Sequence, residues 1–409
     1  MKLPILLLSL LVILTVNSSH AQRKLVESYS LTKENLIKDI DEYANGIEKY
    51  HVDPFSKINH KDFLNEISRI KDSAVYYDID ELLVKLFQVN ALIGDEHTDI
   101  GYHFRDLFPF TFYWFQEGIY SMETLPKYDS LQLLKLIAID NVPVDTAIKK
   151  ISTIIANKNT ASIRKIAPQY LTDPHILHGL KIIGSTSSIE YTFVKQDGDT
   201  LRFRAIAENA LKIKLDCPMV VYKFYKYSVP KRYWYNYNSE KKSLYFNYST
   251  CVDNKMYPFE NVRNQLISII NDSLPQKLII DLRENGGGNS TLLEPLIDKI
   301  RKSDINTFGE IFVIIGRHTF SSAIHNTMYI KNHTHAIIIG EETSGSINHY
   351  GDIRTFKLSN TGMSVYYSTK HFVLDKHNDG AIQPDIKIPE TAADFIKGKD
   401  AALDYAFTH

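Results

Sequence analysis

The sequence predicts an α/β protein, and three observations carry that prediction. From about Lys242 to the C-terminus, short apolar runs alternate with helical patterns, the order that builds a parallel sheet covered by helices. Within that region Lys277-Leu-Ile-Ile-Asp-Leu282 is almost continuously apolar, as a strand buried on both faces must be. It empties into three consecutive glycines, Gly286 to Gly288, and a later strand empties into Arg317-His-Thr-Phe-Ser-Ser322 at a helix start. Loops at the C-terminal ends of parallel strands are where such folds hold ligands.

Taken in order, the chain opens with a leader. Lys2 precedes an apolar run from Ile5 to Val16 and the small-residue end Ser19-His-Ala21, the layout of a secretory signal peptide cleaved near Ala21. At about a dozen residues the run is shorter than the roughly 20 that a membrane span needs. The expectation is an exported protein, periplasmic or secreted, with no stable membrane span. Residues 22–109 read as an N-terminal helical cap. Leu36, Ile37, Ile40, Tyr43, Ala44 and Ile47 recur at three- and four-residue spacing, Thr32 and Glu34 mark a helix start, and Pro54 marks a stop. The runs 63–70 and 82–92 repeat the pattern.

Residues 110–207 read as a small, mostly β module. A strand, an Asp140-Asn141 turn and a second short strand span 134–144, a helix follows over 145–156, and a hairpin turns at Asp197-Gly198 within 191–204. Residues 208–409 form the expected core domain. Its strands lie at 244–248, 277–282, 311–315 and 336–339, and its helices at 258–270 and 322–331. Thr291 and Glu294 suggest a capping box ahead of the apolar positions up to Ile300. A long hairpin, 353–358 with 363–372, closes the domain.

Composition excludes some functions. Lysine and arginine number 47 against 48 aspartates and glutamates, so no basic excess argues for nucleic acid. The two cysteines, Cys217 and Cys251, can pair in an oxidising compartment or stay as free buried thiols. The aromatic run Tyr233-Trp-Tyr-Asn-Tyr237 suits a half-exposed strand or loop better than a polymer-binding groove. No metal and no cofactor is expected: His175-Ile-Leu-His178 and His333-Thr-His335 lack a third ligand at metal spacing, and the glycine turn is not followed by the Lys-Ser/Thr pair of a phosphate loop.

What remains is acyl-transfer chemistry. Glycines at a strand end let backbone N–H groups approach a developing negative charge, and a serine on a strand-to-helix turn exposes its hydroxyl. Ser321 is the candidate nucleophile, although a serine at a helix start also serves as an ordinary N-cap. His97, in Ile93-Gly-Asp-Glu-His-Thr98, is a candidate base because an imidazole titrates near neutrality.

Four blocks in this order resemble the carboxyl-terminal-processing, or tail-specific, serine peptidases. They are Leu278-Ile-Ile-Asp-Leu-Arg-Glu-Asn-Gly-Gly-Gly288, Phe320-Ser-Ser-Ala323, Ile337-Ile-Ile-Gly-Glu-Glu-Thr-Ser-Gly345 and Ile382-Gln-Pro-Asp-Ile386. Upstream, Leu92-Ile-Gly-Asp-Glu-His-Thr98 resembles the family's Asp-Gly-His-Thr block with Glu96 in place of the glycine, and Ile139-Asp-Asn-Val-Pro-Val144 looks like part of its PDZ-like insert. The resemblance implies a ClpP/crotonase-like core and an endopeptidase acting on peptides or unfolded protein through Ser321, with the Gly287 and Ser322 amides as oxyanion hole. Tail-specific members place a basic lysine where this chain has Ser346. Tricorn-like members use the upstream histidine, here His97, and Thr98 or Asp379 then become the candidates that orient it. Asp385 is expected to be a structural turn residue, and Lys331 to sit too far down the helix to serve.

The resemblance leaves a second reading open: a non-catalytic protein binding a peptide or lipid in the same cleft, since retinoid-binding relatives keep this fold without proteolysis. An acyl-coenzyme A enzyme is disfavoured, because export removes it from the cytoplasmic cofactor.

Overall fold

The computed structural model describes residues 32–102, 106–156, 159–195, 197–223, 232–308 and 310–409. The expected leader lies outside these residues. Among them no helix is long and apolar enough to cross a membrane. The α/β expectation holds: helices cover a six-stranded, mostly parallel sheet, and three further sheets accompany it among the described residues.

The N-terminal helices form where the apolar spacing put them, over Lys33–Tyr50, His60–Ser73 and Ile79–Ile93. Each starts on a side-chain cap: Thr32 accepts from the Asn35 amide, Asn59 from Asp62, and Asp78 forms a capping box with Glu81. Each such cap stabilises a helix by about 1 kcal/mol. The third helix ends at Gly94 with φ +72°, a left-handed cap that glycine adopts without strain and that turns the chain toward His97.

The middle region carries an antiparallel sheet, in the order Phe110–Phe115, Gly118–Thr124, Lys135–Ile139, Ser188–Val194 and Thr200–Ile206. The hairpin at Asp197-Gly198 is as expected. Two helices, Thr160–Tyr170 and Pro174–Gly179, stand in a region read as mostly β. Asn159 caps the first and Asp173 the second, each with its carbonyl or carboxyl oxygen on following amides.

The six-stranded sheet runs Tyr233–Asn238, Ser243–Tyr248, Lys277–Asp281, Glu310–Ile315, Ile337–Gly340 and Ile386–Lys387, parallel throughout except for its first pair. The aromatic run is thus a strand. The helix after the glycine turn begins at Glu294 and not at Thr291: Pro295 fits only its first turn, and a short 3₁₀ turn over Ser290–Leu292, capped by Asn289, precedes it.

The long C-terminal hairpin, His349–Lys357 with Ser364–Phe372, does not join the six-stranded sheet. It pairs with Asp99–Gly101, immediately after His97. Leu358, Met363, Val365 and Tyr367 share a core with Leu36, Ile40, Tyr43 and Ile47 of the first helix. Burying each such side chain stabilises by roughly 1.5–3 kcal/mol. Buried Asp39 accepts the Asn360 and Thr361 amides of the hairpin turn at 3.0 and 2.7 Å, so the helix fixes the turn's position as well as its packing.

Asp80 links the third helix to the helix Pro174–Gly179, each of its oxygens 2.9 Å from Nδ1 of His175 or His178. The hydrogen bond to Asp80 raises the His175 pKa, against an opposing effect of burial. A raised histidine pKa adds stability that is full below the unfolded value and fades as pH rises through the folded one. The Tm deficit of His175→Gln is therefore expected to be largest near pH 5.5 and to shrink at pH 8.5. A deficit independent of pH would contradict this.

Candidate active site

The two strand-end turns meet. Phe320 donates its amide to the Asn285 carbonyl at 3.0 Å, the Ser322 hydroxyl donates to the Gly288 carbonyl at 2.6 Å, and the Thr319 hydroxyl donates to the Leu282 carbonyl at 2.8 Å. Gly287 sits at φ +107° so close to the serine that a Cβ there would lie 2.8 Å from the Ser321 Cβ. This approach explains the glycine at that position better than the turn alone does.

Ser321 itself has φ +52° and ψ −123° at the start of the helix Ser322–His333, and its side chain does not cap that helix. Such a backbone is costly for a residue with a Cβ and is found where a side chain must be presented, not where a cap is needed. The Gly287 amide donates to the Asn285 side chain at 2.9 Å. Among the described residues, the neighbouring Gly288 amide and the Ser322 amide donate no hydrogen bond.

His97 lies against the serine turn. Its ring stacks on Phe320, the residue before Ser321, with centroids 4.6 Å apart. The side that holds it is the helical cap: Asn90 donates to the Thr98 carbonyl at 3.0 Å, and Tyr43 donates to Asn90 at 2.9 Å. His97 is 2 % exposed.

The carboxylate beside the ring is Asp95, with Oδ1 4.0 Å from Nδ1 and 2.9 Å from the His97 amide. Its other oxygen meets His51 Nε2 at 3.0 Å, the Thr98 hydroxyl at 2.5 Å and the Ser368 hydroxyl at 2.6 Å. Burial pushes the Asp95 carboxyl up, but the His51 hydrogen bond, the charge of His97 and the two hydroxyls together hold it at about 2. Thr98 thus touches the carboxylate and Asp379, the other sequence candidate, is exposed. Asp95 stood two residues from His97, but only the left-handed turn at Gly94 reveals that it points back at the ring.

Two more histidines crowd the site without having been singled out. His349 Nδ1 faces the Ser346 and Ile347 carbonyls at 3.0 and 3.2 Å, so that nitrogen carries the proton and Nε2 is the acceptor of the neutral ring. The ring lies 5.7 Å from His97 and 5.1 Å from His325. Burial lowers the His349 pKa, and burial with the His349 neighbour pushes His325 down to about 4.

The position that would hold the family's lysine is accounted for. The Ser346 hydroxyl donates to Glu96 Oε1 at 3.2 Å, so the two departures from the family pattern contact each other. Lys331 lies 3.4 Å from Asp385, which also accepts the Ile338 amide, a structural role for both. Cys217 and Cys251 are not joined in a disulfide, and burial pushes Cys251 up to about 12. Asp281 holds Arg283, which reaches Asp400 at 2.7 Å, so the Asp-Leu-Arg of the first block anchors the C-terminal helix. Asp78, Asp80 and His178 place ligand atoms within 4.8 Å of one another, but the Asp80 pairs with His175 and His178 satisfy these groups as they stand.

No family model and no curated protein matches the chain. Solved structures do. Mature CPAF is similar at a TM-score of 0.66 and 12% identity, over 92% of this chain and 96% of that one. Mature CPAF complexed with lactacystin is similar at 0.67 and 13%, over 92% and 97%. The photosystem II D1 C-terminal processing protease lies farther off, at 0.40 and 11% over 91% and 99%. The chain therefore has the fold of mature CPAF along nearly its whole described length.

Proposed function

We propose that the chain is a serine endopeptidase of the histidine-base type. Ser321 attacks a peptide carbonyl, His97 takes its proton and passes it to the leaving amine, and Asp95 orients the imidazole. Asp95 fills the role first considered for Asp379. The oxyanion forms against the Ser322 amide and the Gly287–Gly288 turn, where the open Gly288 amide supplements or replaces the committed Gly287 one. The observation that carries this reading is the pair of turns locked together around a strained Ser321, with His97 stacked on the residue before it.

In this reading the six-stranded sheet is a ClpP/crotonase-like core within residues 208–409, the antiparallel sheet a PDZ-like module at 110–207, and residues 22–109 the cap that brings the base. The leader cleaved near Ala21 delivers the enzyme to the periplasm or the medium, where its substrates are exposed peptides or unfolded proteins. No step calls for a metal or cofactor.

A serine-reactive fluorophosphonate tests the proposal without knowledge of the substrate. The expected adduct, mapped by peptide mass spectrometry, is on Ser321, with formation falling as pH drops and His97 becomes protonated. A folded protein that forms no adduct is a binding protein on this fold, and the peptidase reading fails.

A further inference from the structure

Lys165 is 6 % exposed, a rare place for an ammonium group. It lies on the helix Thr160–Tyr170, beside the antiparallel sheet and away from either strand-end turn in sequence. Its Nζ donates to the Ser344 hydroxyl at 3.2 Å and sits 4.3 Å from the centre of the Phe320 ring. The charges that face it are Glu96 and Glu284, and burial still pushes the amine down to about 8.

The same helix grips the loop after Gly340 at two more points. Asn159, its cap, donates to the Ser344 carbonyl at 2.9 Å, and Arg164 lies 3.8 Å from Glu341. That loop in turn packs on the site: a Cβ at Gly345 would lie 2.8 Å from the Phe320 ring and 3.3 Å from Glu96 Oε2. Phe320 thus has the Lys165 ammonium against its ring and the His97 imidazole stacked on it. The ammonium lies no farther than the sum of those two separations from the imidazole centre, about 9 Å.

We infer that Lys165 is a positioning residue for the base: it seats Phe320 under His97, offsets the buried charge of Glu96, and favours the neutral imidazole that a base requires. The inference rests on His97 serving as the base. Other titratable groups stand around the same ring: Asp95 with His51 from the cap, His349 from the hairpin with His325 behind it, and Glu96 with Glu284 on the Lys165 side. All are kept when Lys165 alone is changed, and all but Glu96 when Glu96 alone is changed.

The sign follows from charge. A positive group near an imidazole disfavours the imidazolium, so Lys165→Met is expected to raise the pH midpoint of His97 by on the order of one unit for an effective dielectric near 20. Glu96→Gln removes a negative group and is expected to lower the midpoint. The double variant should return toward wild type as the two opposite shifts offset each other, a pattern that lost packing would not produce. Two readouts serve: the NMR titration of the His97 Cε1–H, assigned with His97→Gln, and the acid limb of fluorophosphonate labelling. Should Lys165→Met not fold, Glu96→Gln alone decides. Midpoints unmoved in both single variants overturn the inference. Absent labelling of the wild type with shifted NMR midpoints overturns the peptidase reading and sustains the electrostatic role.

Discussion

Ser321→Ala is expected to lower turnover of an unfolded protein such as casein by on the order of 10³-fold or more, and His97→Ala by a similar factor. In the proposed mechanism the two side chains act as one device: without the hydroxyl there is nothing to deprotonate, and without the imidazole the hydroxyl is a poor nucleophile. The double variant should therefore be no slower than the worse single one. Stability separates this from damage to the fold. The Ser321 side chain caps nothing, and the bonds that join the two turns belong to Phe320, Ser322 and Thr319. Ser321→Ala should thus unfold within about 0.5 kcal/mol of wild type. Turnover undiminished in either single variant would remove that residue from the mechanism.

Asp95→Ala is expected to cost about 3–5 kcal/mol of stability as well as activity. His51 and Asp95 are hydrogen-bonded through side chains 0 % and 1 % exposed, and removing the carboxylate leaves His51, Thr98, Ser368 and the His97 amide without their shared acceptor. The pH dependence has a definite sign. A carboxyl held at about 2 in the folded chain and near 3.9 when unfolded contributes stability that is complete above the unfolded value and is lost as pH falls through the folded one. The gap between wild type and Asp95→Asn in urea unfolding should therefore be wide at pH 7 and narrow steadily from about pH 4 toward pH 2. Equal stabilities at pH 7 would show that the carboxylate network is not what holds the His97 turn.

Local chemistry made much of this protein legible. Lys277–Asp281 had to be a buried strand because nothing polar interrupts it between its first residue and its last, and the glycine and serine turns announced themselves because few residue types tolerate their backbone or suit their chemistry. The helix start at Thr32 was readable from its capping residue and the apolar spacing after it. What sequence left hidden is what depends on direction and distance. Asp95 and Asp379 are equally acidic on paper; only a backbone turned by Gly94 aims the first at His97. Lys165 stands between Arg164 and Ile166 like any lysine of a surface helix, and its burial comes from a loop some 180 residues away. The hairpin's partner was hidden for the same reason: alternation in His349–Lys357 specifies a strand but not the sheet that receives it.

That hairpin has a consequence for when the molecule becomes active. Ser368 reaches Asp95 across 273 residues of chain, and Asp99–Gly101 finds its strand partner only in Ser364–Phe372. Contacts so distant in sequence close late, after the intervening loop entropy has been overcome. During synthesis the histidine turn emerges early and the serine turn much later, yet the histidine turn is not seated until the strand Ser364–Phe372 has arrived. Under the proposed mechanism, a nascent or truncated polypeptide would hold Ser321 without an oriented His97, and reactivity would appear only once the hairpin has docked.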